Sequence, residues 1–315
     1  MTGLFMQPVC AELLFRQGLR NFGDFFRYRD GEVVCGHHAR NVTRVNIAGI
    51  QAFLKREYFI PWKDYFHSWW AGFGFVSKSQ REWQVLRALQ ACGIPFPEPL
   101  AVGAQEGKAF LLVRDLPETQ DLPTALTQDW RNRADRVWLG HLLGKAMSDL
   151  HAAGFTHSDL YAKHVFVSRS RETIAFVDFQ RTRRHSRVSW RRRWRDLAAL
   201  NASLGDDLVS PRERLLGLSA YLRHVRQMTS RAPEGSPPMP RAEWRELVRS
   251  SLRMIGRRTR QLLRRSRVRR MRDSETTNRG ALIVDYWRIA VRGLEAADAE
   301  PAGHDVARDL GGTGR

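Results

Sequence analysis

The stretch Leu150-His151-Ala152-Ala153-Gly154-Phe155-Thr156-His157-Ser158-Asp159-Leu160-Tyr161-Ala162-Lys163-His164-Val165-Phe166-Val167, followed by Ile174-Ala175-Phe176-Val177-Asp178-Phe179-Gln180, decides how the chain is read. Its first residues close an apolar-faced helix, Gly154 stops that helix, and a polar loop carrying Asp159 follows. A short β-branched run, a turn around Arg169-Ser170-Arg171-Glu172 and a second run ending at Asp178 complete it. Two carboxylates on loops flanking a hairpin are what phosphoryl transfer requires. One accepts the proton of the attacking hydroxyl, and the other holds the cation that neutralises the phosphates.

Upstream, the periodicity of Leu139, Leu142, Leu143, Met147 and Leu150 predicts an amphipathic helix over 136–153. Three short runs before it, Glu32–Cys35, Val42–Ile47 and Gln51–Lys55, read as strands separated by turns at Gly36 and Gly49. Two more strand-like runs lie near Leu100–Val102 and Ala109–Val113, the second leading into Arg114-Asp115-Leu116. Between these sets, residues 61–75 hold seven aromatic side chains without regular period, and a packed insert is expected there ahead of a substrate or lipid platform. A helix follows over 77–91, with Ser79 as the expected N-cap and Glu82 at the capping-box position. The form of residues 1–30, rich in Leu and Phe, stays open.

Downstream, Arg181–Arg195 is dense in arginine and runs into a helix at Asp196. Helices are expected over 211–228 and 241–272, separated by a Pro/Ser/Gly-rich break at 229–240. The long second helix mixes Trp244, Leu247, Leu252, Ile255 and Leu263 with many arginines. It suits packing on a neighbouring lobe or lying on anionic lipid. The formal charge of +19 in 315 residues attracts polyanions without choosing among them. No recognised RNA- or DNA-reading motif accompanies it, so nucleic acid is not the expected partner. Cys10, Cys35 and Cys92 have neither disulfide-framework nor zinc spacing, which points to a reducing compartment. No run approaches the ~18 apolar residues of a spanning helix, and the N-terminus has no signal-peptide layout.

The pattern L-H-x-x-G-x-x-H-x-D-L-x-x-x-H-x-x-V, then V-D-F, resembles the catalytic and metal loops of the protein-kinase-like superfamily. The resemblance implies an α+β, two-lobed fold with a small antiparallel-sheet N-lobe and a mostly helical C-lobe, ATP lying between them. It makes Lys55 the lysine that meets the nucleotide phosphates and Glu82 its carboxylate partner. Arg114, Asp115 and Leu116 become the hinge that holds adenine, Asp159 the base and Asp178 the Mg²⁺ ligand. His157 is expected to brace the loop and Phe179 to pack inward, while Asp196 would bond the catalytic-loop backbone. No G-x-G-x-x-G precedes Lys55, so the turn Gly36–Thr43 would offer phosphates side chains such as Arg40. Ser158 stands where many protein kinases carry an arginine that reads an activation-loop phosphate, which argues against phosphorylation gating.

His164 is the informative departure, because most of the superfamily has Asn at that second metal position. With Asp178-Phe179-Gln180-Arg181, Trp194-Arg195-Asp196-Leu197 and Arg81-Glu82-Trp83, it makes the chain resemble the lipopolysaccharide-core sugar kinases, the heptose(I) kinase and Kdo kinase group. That resemblance covers roughly residues 30–230. It implies a cytoplasmic enzyme peripheral to the inner membrane. Such an enzyme uses ATP and Mg²⁺, with Mn²⁺ as the alternative ion, to phosphorylate a heptose or Kdo hydroxyl of the core glycolipid. The chain is expected to divide into an N-terminal extension (1–30), an N-lobe (31–116), a C-lobe core (117–230), an arginine-rich helical segment (231–300) and a flexible tail (301–315). Two other readings stand beside this one: a small-molecule or protein kinase of the same superfamily, and a catalytically weak module that docks anionic lipid or RNA.

Overall fold

The structure is a computed structural model that describes residues 3–276 apart from 38, 169, 171 and 231–239. Residues 231–239 of the expected linker and the whole expected tail therefore lie outside the described residues, as do parts of the turn at 169–172. Among the described residues six strands form one antiparallel sheet: β1 (Gly3–Met6), β2 (Glu32–His37), β3 (Arg40–Ile47), β4 (Ile50–Glu57), β5 (Pro99–Gln105) and β6 (Lys108–Arg114), in the order β1-β5-β6-β4-β3-β2. The β3–β4 hairpin closes through Ala48 and Gly49, both at positive φ, as a two-residue turn between Ile47 and Ile50 requires. Residues 1–30, whose form the sequence left open, add β1 to the far edge of this sheet. They also lay α1 (Pro8–Arg16) and α2 (Phe22–Arg27) over one face of it.

Strand alternation fixes what each face of the sheet sees. β4 is central, between β3 and β6, and is buried on both sides. Ala52 and Leu54 join Leu14, Leu19 and Phe25 of the N-terminal segment, and Arg56 follows them, bonding the carbonyls of Phe25 and Tyr28. Phe53 faces the other way, into the large core that includes Val85, Leu86 and Leu89 of α4 (Lys78–Ala91). Lys55 shares the parity of Phe53 and so emerges beneath α4.

Between β4 and α4 the aromatic-rich segment forms a helix, α3 (Trp62–Trp70), rather than an irregular stretch. Its buried positions are Asp64 and Ser68, while Trp62, Phe66, Trp69 and Trp70 are exposed. The expected packed insert is therefore not what forms there.

The C-lobe begins with the two-residue strand β7 (Gln120–Asp121) and a short helix, α5 (Leu122–Gln128). The long α6 (Arg133–Ala152) follows. Gly154, at φ +87, reverses the chain past its end, where a Cβ would stand 2.3 Å from the His185 carbonyl oxygen. The strand Phe155–Thr156 (β8) leads into the Asp159 loop, and the hairpin β9 (Val165–Ser168) and β10 (Thr173–Phe176) carries the chain to Asp178. Arg183–Arg184 (β11) pairs back on β8, and α7 (Trp190–Ser203), α8 (Pro211–Ser230) and α9 (Arg241–Thr276) complete the lobe. α8 packs along α6 and α9 along α7. The fold is the expected small sheet lobe joined to a helical lobe.

Candidate active site

Lys55 is buried rather than an edge charge, and its Nζ lies 2.8 Å from Oε1 of Glu82, which is buried as well. Oε2 of Glu82 has no hydrogen-bond partner among the described residues. Glu82 is thus not a cap residue: the N-cap of α4 is Ser77, closed reciprocally by Gln80, two residues earlier than expected. Ser79 instead donates its hydroxyl and its amide to Glu57.

The Asp159 loop is held from behind by buried polar groups. Asp196 Oδ2 accepts the backbone N–H of His157 at 2.8 Å and faces His151 Nε2 at 3.4 Å. His151 Nδ1 meets the Tyr221 hydroxyl at 2.9 Å, which in turn accepts from Arg193. His157 Nε2 donates to the Val177 carbonyl at 2.9 Å, tying the Asp159 loop to the segment carrying Asp178. Burial pushes both His151 and His157 below the ordinary imidazole value, so they brace the loop as neutral rings. Asp196 therefore takes the backbone-bonding position that the resemblance gives it.

Asp159 and Asp178 meet across His164. Nδ1 of His164 lies 2.7 Å from the backbone carbonyl of Asp159 and must donate its proton there, because a carbonyl only accepts. Nε2 is then left without a proton and faces Asp178 Oδ2 at 3.8 Å, too far for a hydrogen bond. Fixing one ring nitrogen on a backbone carbonyl is how proteins orient a metal-ligating histidine. Asp178 takes the left-handed backbone conformation (φ 64), which Asp adopts more readily than most residues. Burial pushes its carboxyl up, but His164, Lys55 and Arg40 together outweigh this and hold it below the ordinary carboxylate value. Among the described residues no group of three or more metal-ligating side chains gathers. Two protein ligands suit a magnesium ion that takes its remaining ligands from phosphates and water, so Asp178 and His164 fit that role.

Arg40 reaches from β3 across to Gln180 Oε1, linking the sheet lobe to the segment after Asp178. Phe179 is fully buried, 5.2 Å from the His157 ring, and anchors that segment inward as expected. The motif that contains Arg181 did not show that its Nη1 donates to Asp159 Oδ1 at 3.1 Å. Nor did it show that Arg81, buried in α4, bonds the Thr182 carbonyl. Burial, with Arg183 and Arg181 nearby, lowers Arg81 to about 10.

At the expected hinge, the Asp115 amide donates to the Gln51 carbonyl and the Leu116 amide to the Asp115 carboxylate. Arg114 pairs with Glu98 at 2.6 Å, and Asp115 with Arg44 at 3.5 Å. Burial raises the Asp115 carboxyl, offset in part by Arg44. An adenine held by the Leu116 amide would have to displace that carboxylate.

The structure thus gathers a buried Lys–Glu pair, two carboxylates and a histidine along one path from β4 to Asp178. Residues 27–250 match the lipopolysaccharide kinase (Kdo/WaaP) family. The chain belongs to that family. Its members are kinases, and this one is a phosphotransferase of the lipopolysaccharide inner core. It is 28% identical over 209 residues to the lipopolysaccharide core heptose(I) kinase WaaP of Pseudomonas aeruginosa, covering 61% of this chain and 77% of that protein. It is 27% identical over 131 residues to the 3-deoxy-D-manno-octulosonic acid kinase of Vibrio vulnificus strain YJ016, or 40% of this chain and 51% of that one. A solved structure, WaaP in complex with acyl carrier protein, superposes with a TM-score of 0.59 at 23% identity over 83% of this chain and 99% of its own, which establishes a shared fold.

Proposed function

We propose that the chain transfers the γ-phosphoryl group of ATP to a heptose hydroxyl of the nascent lipopolysaccharide core, working at the inner face of the cytoplasmic membrane. The longer match to the heptose(I) kinase, 209 residues against 131, favours heptose over Kdo. In this reading Asp159 orients the acceptor hydroxyl and takes its proton as the bond to phosphorus forms. Lys55, fixed by Glu82, meets the phosphates, Arg40 covers them from β3, and Arg114, Asp115 and Leu116 line the adenine side. Asp178 and His164 would hold a magnesium ion, which would supply positive charge to the phosphate oxygens. The observation that carries the reading is the contact chain from Asp159 through His164 to Asp178, whose carboxyl feels Lys55 and Arg40.

A carrier-protein partner belongs to the same proposal. The solved relative is a complex with acyl carrier protein, and here an apolar cavity of about 450 Å³ lies among α6, α7, α8 and α9, lined by Leu139, Leu143, Met147, Leu218 and Ile255. Co-purification of a carrier protein, abolished by filling that cavity, tests this part.

Purified protein given radiolabelled ATP and Mg²⁺ should label core oligosaccharide and leave aminoglycosides and a generic protein substrate unlabelled. Labelling of either alternative in preference to the oligosaccharide would replace this reading with another kinase activity.

A further inference from the structure

α3 is built inside out. A surface helix of a soluble domain turns its apolar stripe inward and its polar face to water. In α3 the inward positions are Asp64, paired with Lys78 Nζ at 2.8 Å, and Ser68, while the outward ones are Trp62, Phe66, Trp69 and Trp70. Trp62 is 74% exposed and Trp70 65%, and the following loop adds Phe75 at 50%. These rings touch one another and form one continuous surface: Phe75 lies 6.1 Å from Trp62 and 5.7 Å from Trp69, and Phe66 lies 5.6 Å from Trp69. The rings are held in place from behind, where Asp64 pairs with Lys78 and the Phe73 amide donates to the Ser68 carbonyl.

The exposed charge on α3 itself and on the segment that Arg81 ties to it is basic. Lys63 and His67 are exposed on α3 itself. Phe73, in the loop after α3, lies against the Arg81 guanidinium at 5.0 Å, and Arg81 bonds the Thr182 carbonyl. Arg181, Arg183, Arg184, Arg187, Arg191 and Arg192 are exposed along the segment that begins there. From Phe59 to Ser79 the only acid is the buried, paired Asp64, and from Arg181 to Arg195 there is none. Indole and phenyl rings favour the headgroup boundary of a bilayer, and neighbouring cations favour anionic lipid. An acidic or apolar protein partner would need only one of the two features.

We propose that the aromatic face of α3 seats in the headgroup region of an anionic bilayer, with the 183–192 arginines on the lipid phosphates, and so sets the Asp159 mouth toward the membrane. For its purpose the inference rests on reading the acceptor as a membrane glycolipid, but its test does not need that reading to hold.

The test is flotation of the full chain with phosphatidylglycerol/phosphatidylethanolamine vesicles, with phosphatidylcholine vesicles as the neutral control. The wild-type chain should float with the anionic vesicles and release at high salt. The F66A/W69A/W70A variant should partition at least about tenfold more weakly, since its apolar anchor is gone. Its melting temperature and its turnover on soluble core oligosaccharide should be unchanged. Three results would overturn the proposal: a wild-type chain that stays unbound, a triple variant that floats like wild type, or exposed rings that serve only to join two copies, seen as a dimer by light scattering that the variant abolishes without any change in flotation. Flotation as expected with no labelling of core oligosaccharide would instead remove the sugar-kinase reading and leave the lipid surface standing.

Discussion

Arg181 Nη1 donates to Asp159 Oδ1 at 3.1 Å, so a cation from the segment that carries Asp178 holds the carboxylate expected to act as base. The Arg181 side chain is largely exposed, so the pair adds little to folding, on the order of 0–1 kcal/mol. Its effect should lie in orienting Asp159. Arg181→Ala should lower kcat by about tenfold with the KM for ATP unchanged, and Arg181→Lys should recover part of the loss. Steady-state kinetics decide this, and an unchanged kcat would reduce the pair to a surface contact.

The Lys55–Glu82 pair makes a different prediction because both partners are buried. Removing one leaves an uncompensated charge, so Glu82→Leu alone should cost about 3–5 kcal/mol of stability. The double variant Lys55→Met/Glu82→Leu should regain most of that stability and remain inactive. Denaturant unfolding of the two singles and the double supplies the cycle.

How much of this was legible in the sequence depended on how local each signal was. The strands β3 to β6 and the helix α6 came from alternation and periodicity, which neighbouring residues set. Ser77-x-x-Gln80 and Ser79-x-x-Glu82 both satisfy the capping-box pattern, and only tertiary demands separate them. Glu82 is drawn to Lys55 and Ser79 to Glu57, leaving Ser77 to cap. β1 was unreadable because its partner, β5, lies almost a hundred residues away. α3 was read as irregular because its inward positions are polar, which leaves no apolar stripe to count. The motif placed Asp159, His164 and Asp178, but the Arg181 contact depends on how two loops of the C-lobe fold together, and the Arg81 contact on how the two lobes meet.

His164 should tune the metal preference. Imidazole is a softer ligand than an amide oxygen and tolerates Mn²⁺ well. His164→Asn should keep activity within about an order of magnitude while raising the ratio of Mg²⁺-supported to Mn²⁺-supported turnover, and His164→Ala should lose activity with both ions. Metal titrations of kcat check this. An unchanged ratio in the asparagine variant would remove His164 from the metal's ligands.

The buried neutral histidines set the acid limb of stability. His151 and His157 titrate lower in the folded chain than in the unfolded one, so the unfolded state binds more protons as the pH falls through the ordinary imidazole value. Stability is full above that value and should decline below it, toward the depressed folded values, by up to about 1.4 kcal/mol per pH unit for each such histidine. Melting curves between pH 7.5 and 5.5 should show the fall, and His151→Asn should make it shallower. A flat profile over that range would contradict the assignment of these rings as neutral.

The central claim is that Asp159 takes the acceptor's proton in a cleft shared with Lys55 and Asp178. Its most direct measurement is single-turnover phosphoryl transfer from Mg-ATP to core oligosaccharide by Asp159→Asn, with nucleotide binding followed in parallel by thermal shift. The transfer rate should fall by about 10²–10⁴ with the stabilisation by Mg-ATP retained. Transfer at the wild-type rate would contradict it.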